Sequence, residues 1–393
     1  MESQPHELAP APHADGKPLP HSAEHFERPL FEKVLFGAHG FRVGWPVAVG
    51  VLLAYFLDVV LESIAWATGS TSLHLPMDKF GAPQSILEEL ASLVSLVIAV
   101  FIASRMDGRR LPDYFIRDRS SFRHAFAGVA AGLVALSLLV GMLCAGGWLH
   151  LSYAGLDAGQ SLRFAALWAF GFLLVGLTEE GLFRCFLLGT LERGMNFWWA
   201  AATVAGIAGC ILANHDSHGA GGVYVVIALG VTPCLWIHQR KLASSQFWQT
   251  AWATSAAFGF VHTFNNGETP VGIFCTALIG FTFCVSIRVT GSAWWAIGFH
   301  AAWDWAQTYF YGTADSGLVP EGHLLSSTTS GSLLWNGGKA GPEGSVLAIP
   351  LTLVILAALV IYGNYYGNRY EGWVGREGQP LDAPSPLRQA QLS

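Results

Sequence analysis

The fold of this chain is decided by the apolar run over residues 163–191, RFAALWAFGFLLVGLTEEGLFRCFLLGTL. The run exceeds the about 20 residues that a helix needs to cross the hydrocarbon core of a bilayer. It nevertheless carries Glu179, Glu180 and Arg184 in its second half. A charge at the centre of a bilayer costs from about 2.5 to more than 10 kcal/mol, so it persists where it is paired or faces a polar cavity. The run therefore predicts a membrane-spanning helix that carries a functional site.

The whole chain has the composition of a polytopic membrane protein. Of its 393 residues, 52% are hydrophobic and only 12% are charged, whereas about 25% of the residues of a soluble domain are charged. No basic stripe interleaved with aromatic residues is present, which argues against a nucleic-acid partner. We predict an all-α transmembrane helical bundle with about 8–10 spanning helices, drawn from the segments of sufficient apolar length. These segments are Val43 to Trp66, Ile86 to Ser104, His124 to His150, Leu162 to Leu191, Phe197 to Ala213, Gly221 to His238, Phe247 to Phe264, Val271 to Ile287, Ser292 to Phe310 and Val346 to Gly363.

Polar stretches divide the chain into six parts. The predicted parts are a disordered polar N-terminal tail (1–42), N-terminal spanning helices (43–161), a transmembrane core (162–312) that carries the charged cluster and an inserted hairpin near 197–238, an extracytoplasmic loop (313–345), a last spanning helix (346–363) and a polar C-terminal tail (364–393). The loop from Arg105 to Arg123 holds six arginines. Because arginine-rich short loops stay in the cytoplasm, both termini are predicted to be cytoplasmic. The long 313–345 loop lacks evident structure and is typical of a lid or of a flexible linker.

The first cluster of ionisable residues has the spacing of an ion pair on one helix face. Glu180 and Arg184 are four residues apart, so their side chains are neighbours on the helix surface. Glu179 points about 100° away from them, which leaves its carboxylate free to face a different surface. A charge cluster that only locks two helices together is the alternative interpretation. Two adjacent glutamates and an arginine inside one apolar helix favour a site.

Two further pairs lie on later apolar helices. Phe258 and His262 are four residues apart, and Gly259 between them allows another backbone to approach closely. His300 and Asp304 are also four residues apart, so the carboxylate can fix the tautomer of the imidazole or join it in holding a metal. Each pair alone is equally typical of polar packing between helices. Counted from the predicted cytoplasmic loops, however, the two histidines reach the same membrane depth as the glutamates at about 1.5 Å per residue.

This set of side chains suits the activation of water, and two mechanisms stay open. Glu179 can take a proton from water while His262 and His300 polarise the water or stabilise an oxyanion. Alternatively, two imidazoles and a carboxylate can bind Zn²⁺ and leave one position for water. The spacing does not choose between them. The His-Glu-x-x-His signature of metalloproteases is absent, so a zinc site would have to be assembled from separate helices.

The three pairs have the order of a known set of motifs: Glu-Glu-x-x-x-Arg, Phe-x-x-x-His and His-x-x-x-Asp. In this order the sequence resembles the CPBP family of intramembrane metalloproteases. Its relatives include the type II CAAX prenyl endopeptidases and bacterial proteins linked to bacteriocin processing or immunity. The resemblance covers roughly Leu162 to Phe310. It implies an intramembrane endopeptidase that hydrolyses peptide bonds of a membrane-associated or lipid-modified protein.

The resemblance also implies a role for each motif residue. Glu179 would be the activating base, with Glu180 and Arg184 as its structural support, and His262, His300 and Asp304 would be ligands or oxyanion stabilisers. If zinc is the cofactor, its ligands would come from Glu179, His262, His300 and Asp304. A glutamate-activated water without metal is the alternative within the same family.

The setting and the competing functions complete the prediction. The family and the absence of eukaryotic targeting signals favour the cytoplasmic membrane of a bacterium, with membrane lipid and a membrane-associated protein or peptide as partners. A proton-coupled transporter is a competing function because intramembrane Glu, His and Asp can relay protons, although no internal repeat of the transporter kind is found. A catalytically silent membrane immunity or scaffold protein is a third function class.

Overall fold

The computed structural model describes residues 30–37, 40–68, 79–116, 118–213, 220–242 and 244–370, and most of them are helical. The helices are Leu30–Leu35, Gly44–Ala67, Ala82–Met106, Ser121–Ala145, Ala158–Glu180, Leu188–Leu191, Phe197–Ala213, Ala220–Arg240, Ser245–Val261, Pro270–Thr290, Trp294–Trp305, Leu333–Asn336 and Ala348–Tyr366. The strands are Phe36–Gly37, Gly40–Phe41, Lys79–Phe80, Leu149–Tyr153, Val319–Pro320 and Leu325–Thr329. Two π-helical turns, Gly181–Leu187 and Ala306–Phe310, each continue a longer helix.

The helices confirm the predicted all-α membrane bundle. Six of them in the described part of the chain are long and apolar enough to cross a bilayer: Gly44–Ala65, Ala82–Met106, Ser121–Ala145, Ala158–Leu191, Pro270–Thr290 and Ala348–Tyr366. The other four predicted spans also coincide with helices, although these are shorter or more polar. Large apolar side chains such as Leu52 and Phe56 are exposed on the outside of the bundle, as expected where lipid covers the surface. The chain is an integral membrane protein.

The predicted third span ends earlier than expected. The helix stops at Ala145 instead of continuing to His150, because Gly146 and Gly147 follow it and Gly147 has a positive φ. The chain then forms the strand Leu149–Tyr153, which pairs antiparallel with Leu325–Thr329. The predicted loop over residues 313–345 therefore contains regular structure.

The predicted tails are only partly covered by the described residues. The first 29 residues and residues 371–393 lie outside them. From Leu30 onward, however, the predicted N-terminal tail forms a helix and a two-stranded hairpin, because apolar residues already begin at this point. The last spanning helix continues to Tyr366 instead of ending at Gly363. The tip of the inserted hairpin, residues 214–219, lies outside the described residues.

One helix holds a central position that matters for the site. Trp294–Trp305, which we call the His300 helix, packs between Ser121–Ala145 and Ala158–Glu180. The packing is close because glycines face the neighbouring backbone. A Cβ on Gly298 would lie 2.3 Å from the carbonyl oxygen of Ala125, closer than any real Cβ contact. Small residues permit such close approach between membrane helices, so the His300 helix is tightly placed against its neighbours.

Candidate active site

The helix that carries the first motif changes its winding at the motif. Ala158–Glu180, here called the Glu179 helix, continues directly into the π-helical turn Gly181–Leu187. Such turns are rare and are frequently found at functional sites. The predicted ion pair is present, since the Nε atom of Arg184 lies 3.2 Å from the Oε2 atom of Glu180. Both side chains are fully buried, so this is a charged pair held away from water.

The guanidinium of Arg184 is enclosed by aromatic rings as well as by its carboxylate partner. Its central carbon lies 3.9 Å from the centroid of the Phe258 ring and 5.4 Å from that of Phe283. A cation over an aromatic face is attracted by the electrons of the ring, and more strongly where water is excluded. Gly280 leaves room for this group, because a Cβ there would lie 2.5 Å from the Nη2 atom of Arg184. The first and second motifs are thus joined through Arg184 and Phe258.

His300 is the point at which the first and third motifs meet. Its Nδ1 atom lies 2.8 Å from Oε1 of Glu180. Its Nε2 atom lies 3.4 Å from Oδ2 of Asp304 and 3.8 Å from Oε2 of Glu179. Both adjacent glutamates therefore reach the same imidazole, one at each ring nitrogen, although regular helix geometry predicts that they face different surfaces. The ring is placed to donate hydrogen bonds to carboxylates.

His262 can accept a hydrogen bond from the site, whereas His300 is placed to donate. The helix Ser245–Val261 ends just before it, and its Nδ1 atom lies 2.8 Å from the carbonyl oxygen of Phe258. A carbonyl only accepts, so Nδ1 carries the proton and Nε2 keeps its lone pair. The Phe258 ring also contacts both histidines, with centroid separations of 4.7 Å to His262 and 6.3 Å to His300. The predicted approach of Gly259 is present too, since its Cβ would lie 2.8 Å from the carbonyl oxygen of Ile273.

A cavity of about 60 Å³ lies beside the two histidines. Its polar lining consists of His262, His300, Asp304 and Glu343 together with Thr276, Thr352 and Cys275, and its apolar lining consists of Phe258, Ile279, Phe283, Phe299, Trp303 and Ala348. A water molecule needs a cavity volume of roughly 10–15 Å³ and two to four polar partners. The cavity can therefore hold water next to the second and third motifs. Glu179 contacts His300, which lines this cavity. About a third of the Glu179 side chain, 34%, is exposed.

Residues 161–241 and 234–306 match the family described as type II CAAX prenyl endopeptidase Rce1-like. We call residues 161–306 the Rce1-like domain because they match this family model. Its bounds agree with the extent predicted from the three motifs, and the match confirms the predicted family. No curated protein and no solved structure matches the chain. The family supports a protease of the CAAX type that acts within the membrane.

The Rce1-like domain has the donor types that zinc binds, but their arrangement does not fit a preformed zinc site. Among the described residues, no three His, Cys, Asp or Glu side chains are placed to hold one ion. A histidine ligand must direct a lone pair at the metal. Each ring nitrogen of His300 instead faces a carboxylate oxygen.

Two features of the site were not predicted from the sequence. The sequence places Phe258 only in a motif with His262, whereas in the structure its ring contacts Arg184 and both histidines. Its i, i+4 spacing to His262 was the available signal. Glu343 lies in the turn Pro342–Gly344, beyond the Rce1-like domain, and no helical spacing connects it to a motif.

Two carboxyl groups of the 313–345 segment have shifted acidities. Burial, together with the neighbouring Asp315 and Asp304, raises the pKa of Glu343 well above its usual range. Burial also raises the pKa of Asp315 to about 6. Low polarity disfavours the charged form of a carboxyl group. The segment thus favours the neutral form of carboxyl groups close to the cavity.

Proposed function

We propose that this protein is an intramembrane endopeptidase that hydrolyses a peptide bond of a membrane-associated or lipid-modified protein through a water molecule activated by Glu179. The single observation that carries the proposal is the convergence of Glu179, Glu180 and Asp304 on His300 within the Rce1-like domain. The cavity beside that imidazole has room for the water molecule that hydrolysis consumes.

Glu179 is the proposed general base. It is the least buried of the motif carboxylates, with 34% of its side chain exposed. As water attacks the scissile carbonyl, Glu179 accepts its proton and later returns a proton to the departing amine. A base placed in this way contributes about 10²- to 10⁴-fold to the rate.

The histidines take complementary roles in this proposal. His300 donates a hydrogen bond to the oxyanion that forms on the carbonyl oxygen, and Glu180 orients its ring through the 2.8 Å contact to Nδ1. Donors that are oriented in advance stabilise developing charge in a site with little water. His262 uses the lone pair on Nε2 to accept a hydrogen bond from the attacking water. Arg184 balances the charge of Glu180.

The proposal is tested with full-length protein in lipid nanodiscs and a farnesylated peptide that ends in a Cys-aliphatic-aliphatic-X sequence. Mass spectrometry measures cleavage, and the unmodified peptide shows whether the lipid is needed. Glu179→Gln should fold with an unchanged melting temperature and lose at least about 10²-fold in rate. Glu321→Gln, at an exposed position, is the control. Undiminished cleavage by Glu179→Gln would remove this residue from the mechanism.

The metal-free form of the mechanism has its own test. Metal analysis of the purified protein is combined with chelator treatment and zinc addition. We expect activity to survive chelation and to be independent of added zinc. Inactivation by chelator that zinc reverses, with one ion per chain, would show that the donors rearrange to bind metal.

The proposed setting is the cytoplasmic membrane of a bacterium, with both termini in the cytoplasm. The arginine-rich loop after Ala82–Met106 supports this orientation because positive residues stay inside. Alkaline phosphatase fused after Gly331 should be active, since this position would be extracytoplasmic. A fusion at residue 110 should be inactive, and the reverse pattern would invert the topology.

A further inference from the structure

The 313–345 segment is anchored to the His300 helix at its beginning. The π-helical turn Ala306–Phe310 directly follows that helix and provides two side-chain contacts to the segment. The amide of Gln307 donates to the carbonyl oxygen of Ala314 over 3.0 Å, and the hydroxyl of Thr308 donates to Asp315 over 2.8 Å. Gln307 and Thr308 are fully buried. The segment is therefore fixed where it leaves the bundle.

The rest of the segment is held as firmly. Its strand Leu325–Thr329 pairs over five residues with Leu149–Tyr153. Close to its end, the backbone N–H of Val346 donates to the carbonyl oxygen of Leu334 over 3.0 Å. A Cβ on Gly341 would lie 2.0 Å from the carbonyl oxygen of Ala314, so two parts of the segment touch backbone to backbone. These contacts describe a folded wall, whereas the sequence alone left a lid and a flexible linker as alternatives.

This wall places Glu343 at the cavity beside the motif histidines. Glu343 lines the same cavity as His262, His300 and Asp304. The backbone N–H of Ser316 donates to its Oε1 atom over 3.3 Å, which leaves the other carboxyl oxygen for a partner in the cavity. Glu343 lies 37 positions beyond the end of the Rce1-like match at residue 306, so the domain alone does not provide it.

The lining of the cavity indicates what the second carboxyl oxygen of Glu343 binds. Aromatic and aliphatic side chains form much of the wall, and a water molecule needs two to four polar partners to remain in such surroundings. The motif residues supply partners from the Rce1-like domain, and Glu343 supplies one from outside it. We propose that Glu343 is a positioning residue that holds a water molecule of the cavity against the two motif histidines. The catalytic consequence rests on the proposed function, whereas the binding of water does not.

The first experiment separates hydrogen bonding from charge at this position. Glu343→Gln keeps the oxygen that faces Ser316 and a polar group for water, so its kcat should stay within about threefold of wild type. Glu343→Leu removes both, and its kcat should fall about 10- to 100-fold with KM nearly unchanged, because the attacking water is misplaced. Glu343→Met is a second apolar variant of similar length. Glu321→Leu is the control at an exposed position of the same segment. Equal losses in the Gln and Leu variants, or a change confined to KM, would overturn the proposal.

The second experiment detects the water without relying on activity. X-ray radiolysis converts bound water to hydroxyl radicals, and mass spectrometry then locates the oxidised side chains. Cys275 and Trp303 line the cavity and should be oxidised in wild type and in Glu343→Gln, but at least threefold less in the Leu and Met variants. Unchanged oxidation in both apolar variants would overturn the proposal. Reduced oxidation in a protein that cleaves no peptide would uphold the bound water and reject the protease function.

Discussion

The motif helices and the 313–345 segment both bring buried carboxyl groups to the site, but they hold these groups differently. In the motif helices, Glu180 contacts the guanidinium of Arg184 and the imidazole of His300. In the segment, Asp315 and Glu343 accept hydrogen bonds from neutral groups, a threonine hydroxyl and a backbone N–H.

This difference separates two tasks within one site. A carboxylate beside a guanidinium is stabilised in its charged form and can orient or polarise other groups, whereas burial favours the uncharged form of a carboxyl group and hydrogen bonds from neutral donors offset this only in part. We infer that the motif helices supply the charge for catalysis and that the segment supplies neutral hydrogen bonds.

Breaking the buried ion pair should have the largest effect on stability. Arg184→Ala removes the guanidinium partner of Glu180 in a site where both side chains are buried, and removing one member of such a pair costs about 3–5 kcal/mol. Thermal unfolding in detergent should show a clearly lower melting temperature than Arg119→Ala, a control at an exposed position.

A double variant shows whether the loss comes from the unpaired charge. Glu180→Gln combined with Arg184→Met replaces the pair by neutral groups, and the Gln oxygen can still accept from His300. The double variant should be more stable than Arg184→Ala while remaining inactive. An unchanged melting temperature in Arg184→Ala would contradict the role given to the pair.

The motif helices were also the part of the molecule that the sequence predicts best. Apolar length determines a spanning helix, and the spacing of four residues places Glu180 beside Arg184. The convergence of both glutamates on His300 has no signal in the sequence. It depends on the position of the His300 helix, which places the imidazole between the carboxylates of Glu179 and Glu180. The π-helical turn after Glu180 also has no simple signal in the residue types.

The strand pairing of the 313–345 segment has no signal in the sequence, for a physical reason. Its strand Leu325–Thr329 is short and rich in Ser and Thr, and its partner Leu149–Tyr153 lies more than 170 positions earlier in the chain. Local spacing carries no information about such a distant pairing. The position of Glu343 depends on that pairing and on the turns around it, so the residue could not be connected to the site from the sequence.

A glycine substitution tests whether the segment is a rigid wall. Gly341 has φ 91° and ψ −166°, a conformation that is essentially restricted to glycine, and its added Cβ would meet the carbonyl oxygen of Ala314. Gly367 has φ 78° and ψ 150° but open space around it, so Gly367→Ala is a control for backbone strain alone.

Overpacking in a rigid structure costs about 1–3 kcal/mol, and we expect Gly341→Ala to be destabilised by this amount beyond the control. Its peptidase activity should fall as well because Glu343 moves. If both alanine variants behave alike, the segment yields to the added atom and is a flexible linker after all.

The acidity of Asp315 should make the stability of the segment depend on pH. The pKa of Asp315 is raised to about 6 from the usual 3.8, so the folded protein binds this proton more tightly than the unfolded chain. The stabilisation is therefore complete below about pH 4 and is lost as the pH rises through about 6.

Asp315→Asn keeps an acceptor for the hydroxyl of Thr308 and cannot ionise, so it should be more stable than wild type at pH 7.5 and equal to it at pH 4. Amide hydrogen exchange in the strand Leu325–Thr329 measures this locally. A remaining slope at higher pH is expected from Glu343, whose pKa is raised too, whereas an Asn variant that is less stable at pH 7.5 would mean that the segment, like the motif helices, depends on a carboxylate charge.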